Sequence, residues 1–170
     1  MSRHGRTTAA QALSDDVLHQ TYPALLRGAG YWTGFVGKWH NGSIRGDLFD
    51  FTRAYFGQHW LDDPGQGRIH ITEKNAHDAI AFLRERPKDR PFMLTVAFFA
   101  PHAEDAAPEQ YLPQAWSAKP YEGVTIPPSP LSGQEYFDAL PAFVPNEANE
   151  GRVRYHWRCD TPESYEETRK

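Results

Sequence analysis

Lys38 and His40 stand two residues apart directly behind an apolar, aromatic-rich run at residues 31–36, and His102 follows a second such run at 91–100. If both runs are strands, the spacing of two puts Lys38 and His40 on the same side of the chain where the first strand ends. An ammonium and an imidazole placed together donate hydrogen bonds to a single anionic group, and a sulfate or phosphate ester is such a group. His102 adds a second imidazole, able either to bind the anion or to protonate a leaving oxygen. Each of the three is also explained as a loop polar group hydrogen-bonded to the backbone, so spacing alone leaves both roles open.

The elements that must position them follow from the pattern around them. Thr21 can cap a short helix over residues 22–27, with Pro23 tolerated in its first turn and Gly28 and Gly30 as the stop. Residues 31–36 then read as a buried strand that ends in the turn Gly37-Lys38-Trp39-His40. Residues 41–71 hold no sustained period and include Asp62-Asp63-Pro64-Gly65, which predicts a long loop with at most one short strand. A stronger helix is predicted from Thr72, with Ala76, Ala79, Ile80 and Leu83 on its apolar face, Lys74, Asn75, Asp78 and Arg84 toward water, and Pro87 at its end.

Residues 91–100 are almost continuously apolar, as expected of a strand covered on both faces of a parallel sheet, and Pro101-His102 breaks the run. Strand, connection, helix and strand in that order make a βαβ crossover whose two strands run the same way. Ligands of open α/β sheets gather beyond the carboxyl ends of the strands. Lys38, His40 and His102 are therefore expected at one end of one sheet.

Composition narrows the partners. The formal charge is −4 and no basic run occurs, so neither nucleic acid nor an anionic membrane surface is an expected partner. No stretch has the length of a membrane span, and no apolar region follows the basic start, so nothing in the chain reads as an export signal. The single cysteine, Cys159, has no zinc-type spacing around it and is expected to be a structural thiol. The pairs Asp62-Asp63 and Glu104-Asp105 are expected to be solvated. Trp39, Trp60 and Trp116 could stack on a sugar, although core packing is the commoner use of such residues. Beyond His102 the chain is rich in proline, acidic and aromatic residues, with extended pieces expected at 125–128 and 142–145. The reading is one domain, with an α/β core portion at 1–102 and a loop-rich continuation at 103–170.

The run Gly30-Tyr31-Trp32-Thr33-Gly34-Phe35-Val36-Gly37-Lys38-Trp39-His40 resembles the second signature of the sulfatases, a glycine-aromatic-x-threonine start closing on glycine-lysine-x-histidine. Residues 21–29 are similar to the helix leading into it, Ala97-Phe98-Phe99-Ala100-Pro101-His102 resembles the family's later strand with its active-site histidine, and residues 157–165 resemble the approach to the next helix. The likeness runs along nearly the whole chain, as an internal portion of the catalytic domain of the formylglycine-dependent sulfatases in the alkaline phosphatase-like superfamily. It implies a partial three-layer α/β sandwich with a mostly parallel sheet, followed by a loop-rich segment.

It also implies hydrolysis of sulfate esters through a hydrated formylglycine beside a calcium ion, with a sulfate ester small molecule or a sulfated glycan as partner. Carried over to matching positions, Lys38 would bind sulfate, His40 would orient or deprotonate the nucleophile, and His102 would contact sulfate or assist the leaving group. The departures matter as well. No C/S-x-P-S-R motif occurs, since Ser2-Arg3 is followed by His4-Gly5 and Cys159 by Asp160-Thr161-Pro162. The family's metal-binding residues and second active-site lysine fall outside the matched portion. Calcium and formylglycine are thus expected of a complete domain, none being supported by this chain's own residues, and the chain alone is expected to hold an anion without turnover. The alternative expectation is a non-catalytic binder of anions or sulfated glycans. Family members are often exported; compartment and oligomeric state are not legible.

Overall fold

The structure is a computed structural model. It describes residues 14–142 apart from Asn41, Phe56, 105–106, 108–109, 126, 128–129, 131–134 and 137–138. Helices α1 (Asp15–Leu18) and α2 (Tyr22–Gly28) precede strand β1 (Trp32–Gly37). Strands β2 (Phe51–Ala54), β3 (Trp60–Asp63) and β4 (Gly67–His70), helix α3 (Ile71–Glu85) and strand β5 (Phe92–Ala97) follow. The chain divides into two compact units after His102.

The first unit holds the five strands of the described residues. Its sheet has the order β2-β1-β5 and is parallel throughout, with Gly34 opposite Phe51 on one side and Trp32 through Gly37 opposite Phe92 through Ala97 on the other. Central β1 is buried from Thr33 to Gly37 because both its edges are paired and both its faces are covered. Successive side chains of a strand point to opposite faces. Phe35 accordingly joins Leu18, Leu48 and Phe49 in one core, while its neighbour Val36 joins Phe51 and Phe82 of α3 in another. This mixed α/β arrangement with a parallel sheet is the expected fold class.

Several expectations are corrected. Residues 41–71 are not one loop: β2 extends the parallel sheet, and β3 and β4 form an antiparallel hairpin. Each strand is four residues long, too short to show a period, and each depends on a partner that is distant or across a turn. The hairpin closes through Asp63, whose Oδ1 accepts the N–H groups of Gly65 at 2.9 Å and Gln66 at 3.1 Å.

Helix α3 lies where expected but presents another face. Ile71, Asn75 and Phe82 are buried, whereas Ile80 and Leu83 are 44% and 41% exposed. The rotation is set by Phe82, whose ring fills the space over Gly34: a Cβ there would lie 2.4 Å from the ring. One glycine in β1 thus outweighs the apolar tally on the helix surface. Strand β5, expected to be covered on both faces, is only half-buried, and Phe92 is exposed.

Lys74 and Asp78, expected toward water, are instead drawn into a polar cluster with Asp63, so Asp62-Asp63 is not a solvated pair: Asp62 is exposed and Asp63 is not. Lys74 Nζ lies 2.7 Å from Asp63 and 3.3 Å from Asp78, and Asn75 Nδ2 donates to the Tyr55 hydroxyl at 3.1 Å. Burial, reinforced by the Asp78 carboxylate, pushes the Tyr55 hydroxyl above its usual range, so it stays protonated. The hydrogen bond from Lys74, and next that from the Gly65 N–H, hold the Asp63 carboxyl below its ordinary value of 3.8.

A group with a depressed folded pKa stabilises the fold above its unfolded pKa and loses that contribution as the pH falls through the folded value. Melting temperatures followed downward from about pH 5 are therefore expected to fall more steeply below about pH 4 in the wild type than in Asp63→Asn. Parallel curves for the two proteins would remove Asp63 as a source of acid sensitivity.

In the second unit the described residues form a short helix α4 (Ala115–Ala118) continued by a 3-10 turn, Lys119–Tyr121. Trp116 is exposed there. The extended piece expected at 142–145 falls, after Ala142, outside the described residues, as do Asp105, Cys159 and residues 157–165. Among the described residues no helix is long and apolar enough to cross a membrane.

Candidate functional site

The site is built on the carboxyl ends of β1 and β5. Gly37 closes β1 with φ at 104°, a conformation that glycine adopts without a side-chain penalty. The next N–H, that of Lys38, donates to the Ala97 carbonyl at 2.8 Å and so carries the ladder one step past both strands. The lysine is thereby held beside the segment that leaves β5.

That segment runs Phe98-Phe99-Ala100-Pro101-His102, with a cis bond before Pro101. It turns back on itself, the His102 N–H donating to the Phe99 carbonyl at 2.8 Å. Phe99 is 4% exposed, and its ring is the meeting point. Lys38 Nζ lies 5.3 Å from its centroid and the His102 ring 5.2 Å from it. The lysine ammonium and the His102 ring centre are therefore within about 10.5 Å of one another. His40 is exposed, two residues beyond Lys38 on the same turn.

Two histidines that sequence reading passed over lie beside this group. His59 and His70 are each 2% exposed and stacked, with centroids 6.0 Å apart and planes at 22°. The His59 ring also meets the edge of Phe99 at 5.2 Å. His70 Nδ1 accepts the Thr72 N–H at 3.2 Å and caps α3, which assigns its proton to Nε2. The available signal was the hairpin: His70 lies opposite Trp60 in the β3–β4 register, and His59 immediately precedes β3. Trp39 packs between Phe35 and Phe49 as a core residue, and Trp60 meets the His70 ring edge-on.

The donors gathered at Phe99 are an ammonium and imidazoles. Calcium takes six to eight oxygen ligands, and among the described residues no group of three or more His, Cys, Asp or Glu side chains is arranged to hold a metal ion. The set is chemically suited to an anion and does not fit calcium. Arg27, Thr33 and Asp50 tie α2 and β1 to the chain just before β2. Asp50 accepts the Thr33 N–H at 2.9 Å and the Arg27 Nε–H at 3.1 Å, while the Thr33 hydroxyl donates to the Leu48 carbonyl at 3.1 Å.

Comparison with known proteins gives the family. The chain is 36% identical over 110 residues to an N-acetylglucosamine-6-O-sulfatase of Bacteroides thetaiotaomicron, a match that takes in 58% of this chain and 19% of the relative. A solved protein in complex with its substrate D-glucosamine-2-N,6-O-disulfate superposes with a TM-score of 0.55 at 24% identity, over 76% of this chain and 26% of that one, a likeness of fold. The chain thus spans about a fifth to a quarter of the length of these proteins. The Sulfatase family model matches residues 14–138, well over half of the chain and all of the site just described, and the chain belongs to the sulfatase family.

Proposed function

We propose that this chain supplies the sulfate-holding part of a sulfate-ester hydrolase site and that its substrate class is a sulfated amino sugar. The observation that carries the reading is the meeting of Lys38 and His102 on the Phe99 ring, at the carboxyl ends of two parallel strands. Lys38 brings a full positive charge to the sulfate oxygens, and His102 donates a hydrogen bond to the anion or a proton to the departing ester oxygen. His40, on the turn beyond Lys38, handles the proton of the attacking nucleophile. The amino-sugar assignment follows the relatives, one named for N-acetylglucosamine 6-O-sulfate chemistry and one bound to a disulfated glucosamine. The nucleophile and the metal ion required for cleavage are not assigned to residues of this chain, and the chain by itself holds the anion without cleaving the ester.

Titration of the 170-residue chain with sulfate and with glucosamine 6-sulfate, followed by calorimetry and by the imidazole resonances of His40 and His102, tests this reading. Saturable binding is expected, weakened at least about tenfold in Lys38→Ala, since a hydrogen bond to a charged group contributes about 1.5–3 kcal/mol. An activated aryl sulfate with added calcium is expected to give no turnover. Turnover that disappears in Lys38→Ala would overturn the claim of binding without cleavage, and absence of saturable binding would overturn the site.

A further inference from the structure

We propose that Phe99 is a positioning residue of the anion site, holding Lys38 and His102 in place through its ring; the proposal rests on the reading of those two residues as sulfate donors. Phe99 touches both of them, at 5.3 Å from the ammonium and 5.2 Å from the imidazole. Its own position is fixed from several sides. It is 4% exposed, its carbonyl takes the His102 N–H, and its ring is met by His59. His59 in turn stacks on His70, which caps α3, and the His59 carbonyl accepts the Ile71 N–H at 2.7 Å. The start of α3, the β3–β4 hairpin and the end of β5 are thereby tied to one ring.

The physical need is plain. A lysine ammonium on a four-carbon stem has many rotamers, and immobilising it on binding weakens affinity. The negative face of an aromatic ring attracts the ammonium and restricts it before the anion arrives. This attraction is weaker than a charge-assisted hydrogen bond to sulfate, so the ring orients Lys38 without competing for it. The imidazole of His102 gains a packed, tilted partner in the same ring. A leucine at this position would fill much of the volume and provide neither effect.

Replacing Phe99 site-specifically with mono-, di- and trifluorophenylalanine drains the ring face of negative charge while nearly preserving its shape. Sulfate affinity of the full chain is expected to fall stepwise along that series and about fivefold in Phe99→Leu. The ε-methylene protons of Lys38 are expected to be shifted upfield by the ring in the wild type and to return to the ordinary lysine position in Phe99→Leu. A sulfate Kd constant within twofold across the fluorinated series would overturn the proposal, because a merely space-filling ring would behave in that way. Should Phe99→Leu fail to fold, the fluorinated series decides alone. Should the wild type bind no sulfate, the sulfate-holding reading falls. The Lys38 proton shift still separates the two ideas: an ordinary position in the wild type overturns the positioning role, and an upfield position that fluorination moves supports it.

Discussion

Gly37→Ala is expected to destabilise the chain by about 3 kcal/mol or more and to displace Lys38 at the same time. The backbone at Gly37 has φ at 104°, where a Cβ is disfavoured by roughly 1–2 kcal/mol even in open surroundings. The surroundings are closed. A Cβ would lie 2.0 Å from the Ala97 carbonyl oxygen and 2.8 Å from Asn75 Nδ2, and overpacking of that kind costs about 1–3 kcal/mol. The nearer obstacle is backbone, which cannot rotate aside. That carbonyl is also the acceptor for the Lys38 N–H, so relief of the clash must open the ladder step that seats the lysine. Urea unfolding gives the stability change, and sulfate titration gives the effect on the site. Gly28→Ala, where nothing lies within 4 Å of the added carbon, is the matched control and is expected to be near neutral. A loss of less than about 1 kcal/mol in Gly37→Ala would show that the turn adapts and that its shape is not required.

The second large effect is expected for Asp50→Ala, about 3 kcal/mol, with Asp50→Asn intermediate. The Asp50 side chain is 11% exposed and is shared by a strand and a helix. Its Oδ2 takes the Thr33 N–H at 2.9 Å, and its Oδ1 takes Arg27 Nε–H at 3.1 Å. Thr33 is fully buried, so removal of the carboxylate strands its N–H without water to replace the bond. Arg27 is 35% exposed and is partly rehydrated when its partner is lost, so the larger share of the effect lies with Thr33. A double-mutant cycle with Arg27→Met separates the two: a coupling of about 1 kcal/mol or less is expected between Arg27 and Asp50. A cycle in which the whole effect of Asp50→Ala is recovered as Arg27 coupling would assign the stabilisation to the ion pair instead.

This bracing gives a physical role to the threonine of the Gly30–His40 motif. Thr33 lies five residues before Lys38, yet it ties β1 to the chain just before β2, and β1 delivers Lys38. Gly34 acts similarly, by leaving room for Phe82 so that α3 can approach the sheet. Residues in the middle of β1 therefore control the position of Lys38 just beyond its end.

Local pattern was enough to locate α2, β1, α3 and β5, to orient β1 and β5 in parallel, and to place Lys38 and His102 at the same sheet end. Each of those conclusions rests on information confined to a short window: an apolar run, a glycine stop, a proline break or a helical period. The strands β2, β3 and β4, the true buried face of α3, and the gathering of Lys38, His102 and His59 around Phe99 were decided by the tertiary structure. Four-residue strands have no period of their own and exist because a partner is present. The face of α3 depends on a slot in β1 some forty-eight residues away, from Gly34 to Phe82. Phe99 counts as one more apolar residue in a strand-like run until the turn at His102 folds its ring under the lysine. Chain sequence carries the identity of these side chains, while their common centre is a property of three segments packed together.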